Sequence, residues 1–262
     1  MEVFDQLILS DIHLYASRDV IKTNHDNLIE CLDALYKKGY RFKHLILLGD
    51  IFEDWYVNAS AEIKKNSYIL TRFLNKLDDL LVNMYSTKIF VKGNHDSVSP
   101  FMRLDPAVHE FLVMYKYQIV ERYEERGAVY VHGHQGSISK FQWFFQMLSC
   151  KIWYAVCAVF RSPALYEWAF SKVEKNASFR SADPEVRKTF YQDLIRRVKP
   201  GNNAIIFGHT HVPIIDEELK IVNTGDWMDN QTFVIRDENT FNLFSYVSKD
   251  NIVSLGELVL PL

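Results

Sequence analysis

Cysteine is nearly absent: Cys31, Cys150 and Cys157 are the only ones in 262 residues. That number supports neither a disulfide framework nor a thiolate metal site, and it fits buried, inert thiols in a reducing compartment. Proline and glycine are also sparse, at 7 and 10 residues, and nowhere do they gather with serine into a linker. No repeat or low-complexity tract is visible, so residues 1–262 read as one domain. A surplus of positive charge is lacking as well. With 30 Lys and Arg against 33 Asp and Glu the net charge is −3, which gives no general attraction to nucleic acid or anionic lipid. Nucleic acid is therefore not an expected partner, and an anionic substrate has to be held by local positive charge such as a metal. Met1–Asp5 shows no basic segment leading into an apolar one, so no secretory signal is expected and the chain reads as cytoplasmic. Apolar residues, by contrast, make up 48 % of the sequence, enough to bury a large core.

These apolar residues come in short runs that end in polar clusters. Leu7-Ile8-Leu9 leads to Asp11-Ile12-His13, His44–Leu48 to Gly49-Asp50, and Ile89-Phe90-Val91 to Gly93-Asn94-His95-Asp96. Between the runs, apolar spacing near 3.6 predicts helices over about 20–38 and 61–84, the first stopped by Gly39. Strand, cluster and helix repeated in this way predict βαβ units and a largely parallel sheet, with the site beyond the carboxyl ends of the strands. Ala128–Val131 then runs into His132-Gly133-His134, and Ala204–Phe207 into Gly208-His209-Thr210-His211. From about Leu219 the chain is a series of short strand-like runs, expected to form an antiparallel layer that completes the sheet.

Strand ends that present Asp, His and Asn are suited to chemistry more than to packing. Carboxylate, imidazole and amide without thiolate suit divalent ions such as Mn²⁺, Fe²⁺ or Zn²⁺. Asp11 and His13 lie two apart, as do His209 and His211, so in an extended segment each pair points one way. Asp50 can bridge two ions, which an imidazole cannot. Two ions about 3.5–4 Å apart can clamp an in-line displacement at phosphorus and lower the pKa of a bound water. His95 is then left for the leaving group, and Asp96 for fixing its tautomer. His134 either lines the site or hydrogen-bonds a loop. His25, His44 and His109 fall outside the clusters and read as structural. Glu53 and Asp54 read as supporting residues, and Asn223 and Asp226 as turn formers.

Asp-x-His, Gly-Asp-x-x-Glu, Gly-Asn-His-Asp, a strand-end His-Gly-His and Gly-His-Thr-His, in that order over residues 11–211, resemble the calcineurin-like metallophosphoesterases. The resemblance implies a four-layer α/β/β/α sandwich and two divalent metal ions. Mn²⁺ is the expected ion, with Fe²⁺ or Zn²⁺ as alternatives. It implies one ion held by Asp11, His13, Asp50 and His211, and another by Asp50, Asn94, His132 and His209. His95 would be the general acid or the hydrogen-bond donor to the transition state, with Asp96 as its orienting partner. A narrower similarity is to the UDP-2,3-diacylglucosamine pyrophosphatase group, carried by Gly49–Trp55, His132–Gln135 and Val222–Trp227. The best-established members of that group carry arginine after the motif asparagine, where this chain has His95 as the general family does.

Residues 137–200 read as a helical insertion above the site. Its opening, from Phe141 through Trp143, Phe144, Phe145, Trp153 and Tyr154, places aromatics on nearly every face of a helix. A buried structural helix is one reading. A lid touching an acyl chain or the inner face of a membrane is the other, and there Arg161, Lys172, Lys175 and Arg180 meet phosphate or headgroup charge. A membrane span over 141–160 is excluded, because it would part His132 from His209 across a bilayer while one site needs both. The expected activity is hydrolysis of a P–O bond in a small phosphorylated, lipid-linked substrate, namely an amphiphilic pyrophosphate. A phosphatase or phosphodiesterase acting on a soluble substrate is the alternative. A non-catalytic scaffold is remote, since such a protein should have lost ligands and every proposed metal-binding position is present.

Overall fold

The computed structural model describes residues 1–14, 19–53, 59–96, 104–136, 148–149, 152 and 184–261. In chain order they form β1 (Glu2–Leu9), α1 (Asp19–Lys37), β2 (Tyr40–Leu47), α2 (Ala59–Asp79), β3 (Thr87–Val91), α3 (Pro106–Met114), β4 (Gln118–Val120), β5 (Tyr123–Glu125), β6 (Ala128–Tyr130), α4 (Pro184–Val198), β7 (Ala204–Phe207), β8 (Ile214–Asp216), β9 (Ile221–Asn223), β10 (Thr232–Asp237), β11 (Thr240–Ser248) and β12 (Asn251–Val259). Two sheets result, one of seven strands in the order β12-β11-β10-β1-β2-β3-β4 and one of five in the order β5-β6-β7-β9-β8. β1 to β4 are parallel and joined through α1, α2 and α3, as the repeated strand–helix pattern requires. In the second sheet β6, β7 and β9 are parallel, with β5 and β8 antiparallel at the edges.

The central strands are apolar without a break over their carboxyl-terminal halves, Leu7–Leu9, Leu45–Leu47 and Ile89–Val91, because successive side chains there enter different cores. Leu7 and Leu9, Leu45 and Leu47, and Phe90 pack against Leu28, Leu32, Phe73, Leu77 and Leu112 of the first three helices. Ile8, Ile46, Ile89 and Val91 point the other way, onto Ala128, Tyr130, Ala204, Ile206 and Val222 of the second sheet. The far face of that sheet, with Val129, Ile205, Phe207 and Ile221, is covered by Phe190, Tyr191, Leu194 and Val198 of α4. Helix, sheet, sheet, helix is the four-layer α/β/β/α sandwich.

Several boundaries differ from the sequence reading, each for a local reason. α2 stops at Asp79, short of 84, because Leu80 and Leu81 turn aside to bridge β2: the Phe42 N–H donates to the Leu80 carbonyl at 2.9 Å and the Val82 N–H to the Phe42 carbonyl at 3.0 Å. The tail divides between the sheets. Ile221–Asn223 joins the second sheet parallel to β7, and only β10, β11 and β12 extend the first sheet antiparallel. α4 falls within the span read as an insertion, yet it is the fourth layer of the sandwich. The aromatic run from Phe141 to Phe145, and Asp54, Arg161, Lys172, Lys175 and Arg180, lie outside the described residues. Among the described residues, no helix is long and apolar enough to cross a membrane.

The space between the sheets also holds a polar chain. Arg236 is fully buried. Its guanidinium donates to the carbonyls of Glu238, Glu125 and Arg126 at 2.9, 3.3 and 2.7 Å. It also donates to the Tyr130 hydroxyl at 2.9 Å, which donates onward to Gln6 Oε1 at 2.6 Å. The phenol thereby links β1 and β10 of one sheet to β6 of the other. Removing it leaves a buried N–H and a buried amide oxygen short of a partner, a loss of about 1–3 kcal/mol. Tyr130→Phe is expected to lower unfolding stability by that amount, read as a Tm drop of a few degrees in thermal unfolding. An unchanged Tm would contradict this linking role.

Candidate metal centre

The loops after β1, β2, β3, β6, β7 and β9 meet at one edge of the sandwich, laced together by backbone hydrogen bonds. The Asp11 N–H donates to the Gly49 carbonyl and the His13 N–H to the Asp50 carbonyl, both at 3.0 Å; the Gly208 N–H donates to the His132 carbonyl at 2.9 Å. Asp11, His13, Asp50, His209 and His211 all have positive φ, between 49° and 67°. A non-glycine residue there costs about 1–3 kcal/mol and persists only where its surroundings hold it. The extended path expected for Asp11–His13 and His209–His211 is therefore corrected to a left-handed one, although it still gathers these side chains at one site. Two motif glycines follow from close approach. A Cβ on Gly93 would strike the backbone nitrogen and carboxylate of Asp50, and one on Gly208 would strike the Asp11 carboxylate and Ser10 hydroxyl.

Among the described residues donor atoms collect into three groups, one of them His13, Glu53 and His95, and the other two composed of proposed metal ligands alone. Asp11, His13 and His211 each place a donor atom within 4.8 Å of the others, and so do Asp50, His132 and His209. The His132 Nδ1–H donates to the Leu48 carbonyl at 3.0 Å, which turns Nε2 toward Asp50 Oδ2 at 3.0 Å and Asn94 Oδ1 at 3.1 Å. On the other side, His13 Nδ1 meets Glu53 Oε2 at 2.9 Å while its Nε2 is buried with no hydrogen-bond partner. His211 Nε2 lies 3.2 Å from Asp11 Oδ1, and its Nδ1 is likewise buried and unpaired. Unpaired imidazole nitrogens buried among carboxylates fit divalent cations.

Electrostatics point the same way. Burial opposes a charge on His13, yet Glu53, Asp50 and Asp11 raise its pKa to about 9. His132 reaches about 9 as well, burial being outweighed chiefly by Asp50. Burial would also raise the Asp50 carboxyl, but His132, His95 and His13 hold it well below the usual carboxylate range. His209 goes the other way: burial and the neighbouring His132 push it well below the usual imidazole range, leaving a neutral lone-pair donor. These carboxylates demand positive charge. Cations bound here would supply it and displace the imidazole protons, because ligation needs the neutral ring.

The orienting role read for Asp96 falls instead to Glu53, itself read as a supporting residue. Asp96 accepts the backbone N–H groups of Asp50, Phe52 and Gly93 at 2.9, 2.9 and 2.8 Å, so it fastens the β2 and β3 loops and is not seen to orient His95. Glu53 instead places both carboxylate oxygens 3.0 Å from His95 Nδ1 while also holding His13. Burial favours neutral Glu53, but the two imidazoles keep its pKa down at about 2. Asp96, buried beside Asp50, is pushed up to about 7. The signal for Glu53 was present in the sequence, as the last residue of Gly-Asp-x-x-Glu. His134 lies against the rings of His132 and His209, at centroid distances of 5.6 and 6.4 Å. His25, read as structural, hydrogen-bonds the backbone of Ile12 and His13, and burial lowers its pKa to about 4. Asn223 and Asp226 do form turns, accepting the N–H groups of Gly225 and of Met228 at 2.8 and 2.7 Å.

Residues 6–213 match the sequence profile of the calcineurin-like phosphoesterases. The chain belongs to this family, whose members depend on a dinuclear metal centre, and is a metal-dependent phosphoester hydrolase with candidate metal-binding groups of its own. Among solved structures, a dimetal phosphatase from Danio rerio is similar at 11 % identity, over 97 % of this chain and 99 % of that one, with a TM-score of 0.45. A metallophosphoesterase from Sphaerobacter thermophilus is similar at 14 % identity, over 98 % and 88 %, with a TM-score of 0.38. No curated protein matches the chain significantly.

Gly208→Ala tests the close approach at Asp11. It is expected to cost about 1–3 kcal/mol by overpacking and to lower the metal content measured by plasma mass spectrometry. Full metal content with an unchanged Tm would contradict this geometry.

Proposed function

We propose that the chain uses two divalent ions, Mn²⁺ being the expected one, to hydrolyse an amphiphilic pyrophosphate such as UDP-2,3-diacylglucosamine. In this reading Asp11, His13, Asp50 and His211 hold one ion, and Asp50, Asn94, His132 and His209 the other. The observation that carries it is the two adjoining donor groups, with His13 Nε2 and His211 Nδ1 buried and unpaired among them. When bound, such ions polarise phosphoryl oxygens and lower the pKa of a water.

The chain's own residues supply the remainder. Glu53, kept ionised, accepts from His95 Nδ1–H and fixes the ring. The opposite nitrogen, Nε2, is then placed to give a proton or hydrogen bond to the oxygen leaving phosphorus. The His95 backbone N–H donates to Asp50 Oδ1 at 2.7 Å, which ties the position of this imidazole to the carboxylate shared by both ions. His134 is assigned to the substrate side of the centre, with Arg161, Lys172, Lys175 and Arg180 contributing charge for phosphate.

The lipid-linked substrate, with peripheral contact at the inner face of a membrane, is supported by the sequence similarities at Gly49–Trp55, His132–Gln135 and Val222–Trp227 and by the aromatic run from Phe141. His95, standing where that pyrophosphatase group carries arginine, favours a second reading as a phosphatase or phosphodiesterase on a soluble substrate.

Chelator treatment is expected to abolish hydrolysis, and added Mn²⁺ to restore it. Assays on UDP-2,3-diacylglucosamine, an aryl phosphate and a phosphodiester separate the readings: turnover of the aryl phosphate alone would sink the lipid one. His95→Ala is expected to lower kcat by about 10²–10⁴ with a smaller change in KM, and Glu53→Gln to lower kcat in the same direction. Undiminished hydrolysis by Asp50→Ala would remove the two-ion reading.

A further inference from the structure

The turn after β9 does more than reverse the chain. Asn230 Nδ2 donates to the His211 carbonyl at 2.7 Å and to Asp226 Oδ2 at 2.5 Å. Asp226 is fully buried, and its Oδ1 accepts the N–H groups of Met228 and Asp229 at 2.7 and 2.5 Å. The acceptor that orients the Asn230 amide is therefore itself locked. From the same turn, the Trp227 N–H donates to the Asp11 carbonyl at 3.1 Å. One short segment thus grips the backbones of Asp11 and His211, whose side chains meet at 3.2 Å. Both are left-handed, with φ of 49° and 58°, and so need to be held. Asp50 and His132 are anchored elsewhere, by Asp96 and by the Leu48 carbonyl.

We infer that Asn230, oriented by Asp226, is the positioning residue for one metal ion of the pair, the one assigned to Asp11, His13, Asp50 and His211. It acts through the His211 carbonyl. Fixing that carbonyl fixes the ψ of a left-handed residue, and with it the direction in which the imidazole leaves the backbone. This inference rests on the two-ion reading above. Outer partners of metal ligands typically carry about 10–100-fold in affinity, and here the effect falls on one ion while sparing the other.

Calorimetric titration of the chelator-stripped full chain with Mn²⁺ tests this. Wild type is expected to take up two ions; uptake of fewer would defeat the two-ion reading and the inference with it. Given two ions in wild type, Asn230→Ala should weaken one of them by about 10–100-fold and leave the other essentially unchanged. Asn230→Asp, similar in size but facing the His211 carbonyl with a carboxylate, should weaken the same ion at least as far. Electron paramagnetic resonance then shows an uncoupled Mn²⁺ spectrum at loadings where wild type gives a coupled pair. In a His211→Ala background, Asn230→Ala should add nothing to the loss. Equal weakening of both ions, or of neither, overturns the assignment and leaves the two-ion reading standing.

Discussion

The carboxylate of Asp50 sets the terms for the edge of the sandwich where the loops meet. It is only 1 % exposed, and an ion taken out of water costs several kcal/mol unless its lone pairs are met. One oxygen takes the His95 N–H and the other faces His132 Nε2. The chain passes so close that Gly93 has no room for a Cβ, and Asp96 is spent on pinning the neighbouring amides. Each residue of Gly93-Asn94-His95-Asp96 therefore answers to Asp50: one by absence of a side chain, one by an amide oxygen near His132, one by a backbone N–H, and one by bracing the loop.

A second constraint is backbone strain. Five of the residues proposed to hold metal sit at positive φ, each at about 1–3 kcal/mol, against a net domain stability of about 5–15 kcal/mol. That load has to be met by the rest of the molecule. The central strands can meet it because their carboxyl-terminal halves are buried on both faces, the apolar side chains there alternating between the cores that flank the sheet. The result is a rigid platform whose loops cannot relax to easier conformations without breaking the hydrogen bonds between strand ends. Pre-set ligands of this kind lose little entropy when they bind an ion.

How much of this was legible in the sequence depends on the range of the interaction that decides it. The parallel strands were legible because two-sided burial writes an unbroken apolar run at Leu7–Leu9, Leu45–Leu48 and Ile89–Val91. The clusters were legible because packing does not ask for Asp, Asn and His at strand ends. The partner of Ile221–Asn223 was not, since three residues carry no period that chooses between sheets, and the choice is made by the exposed flank of β7. The end of α2 was not either: Leu80 and Leu81 continue the helical period, and only the hydrogen bonds of Leu80 and Val82 with Phe42 reveal that the chain has left it.

The carboxylates show the same limit at the level of chemistry. Glu53 and Asp96 are alike as residues, close to Asp50 in the fold, and either could serve an imidazole. What separates them is the kind of donor each faces. Asp96 is surrounded by backbone N–H groups, which fill an acceptor's lone pairs without leaving it free to steer a ring. Glu53 lies beyond the left-handed turn at Asp50 and meets two Nδ1 atoms, those of His13 and His95. One carboxylate then sets the tautomer of a proposed metal ligand and of the proposed proton donor together, so neither ring can be repositioned without disturbing the other. That coupling is a property of the path the loop takes, and no spacing in the sequence states it.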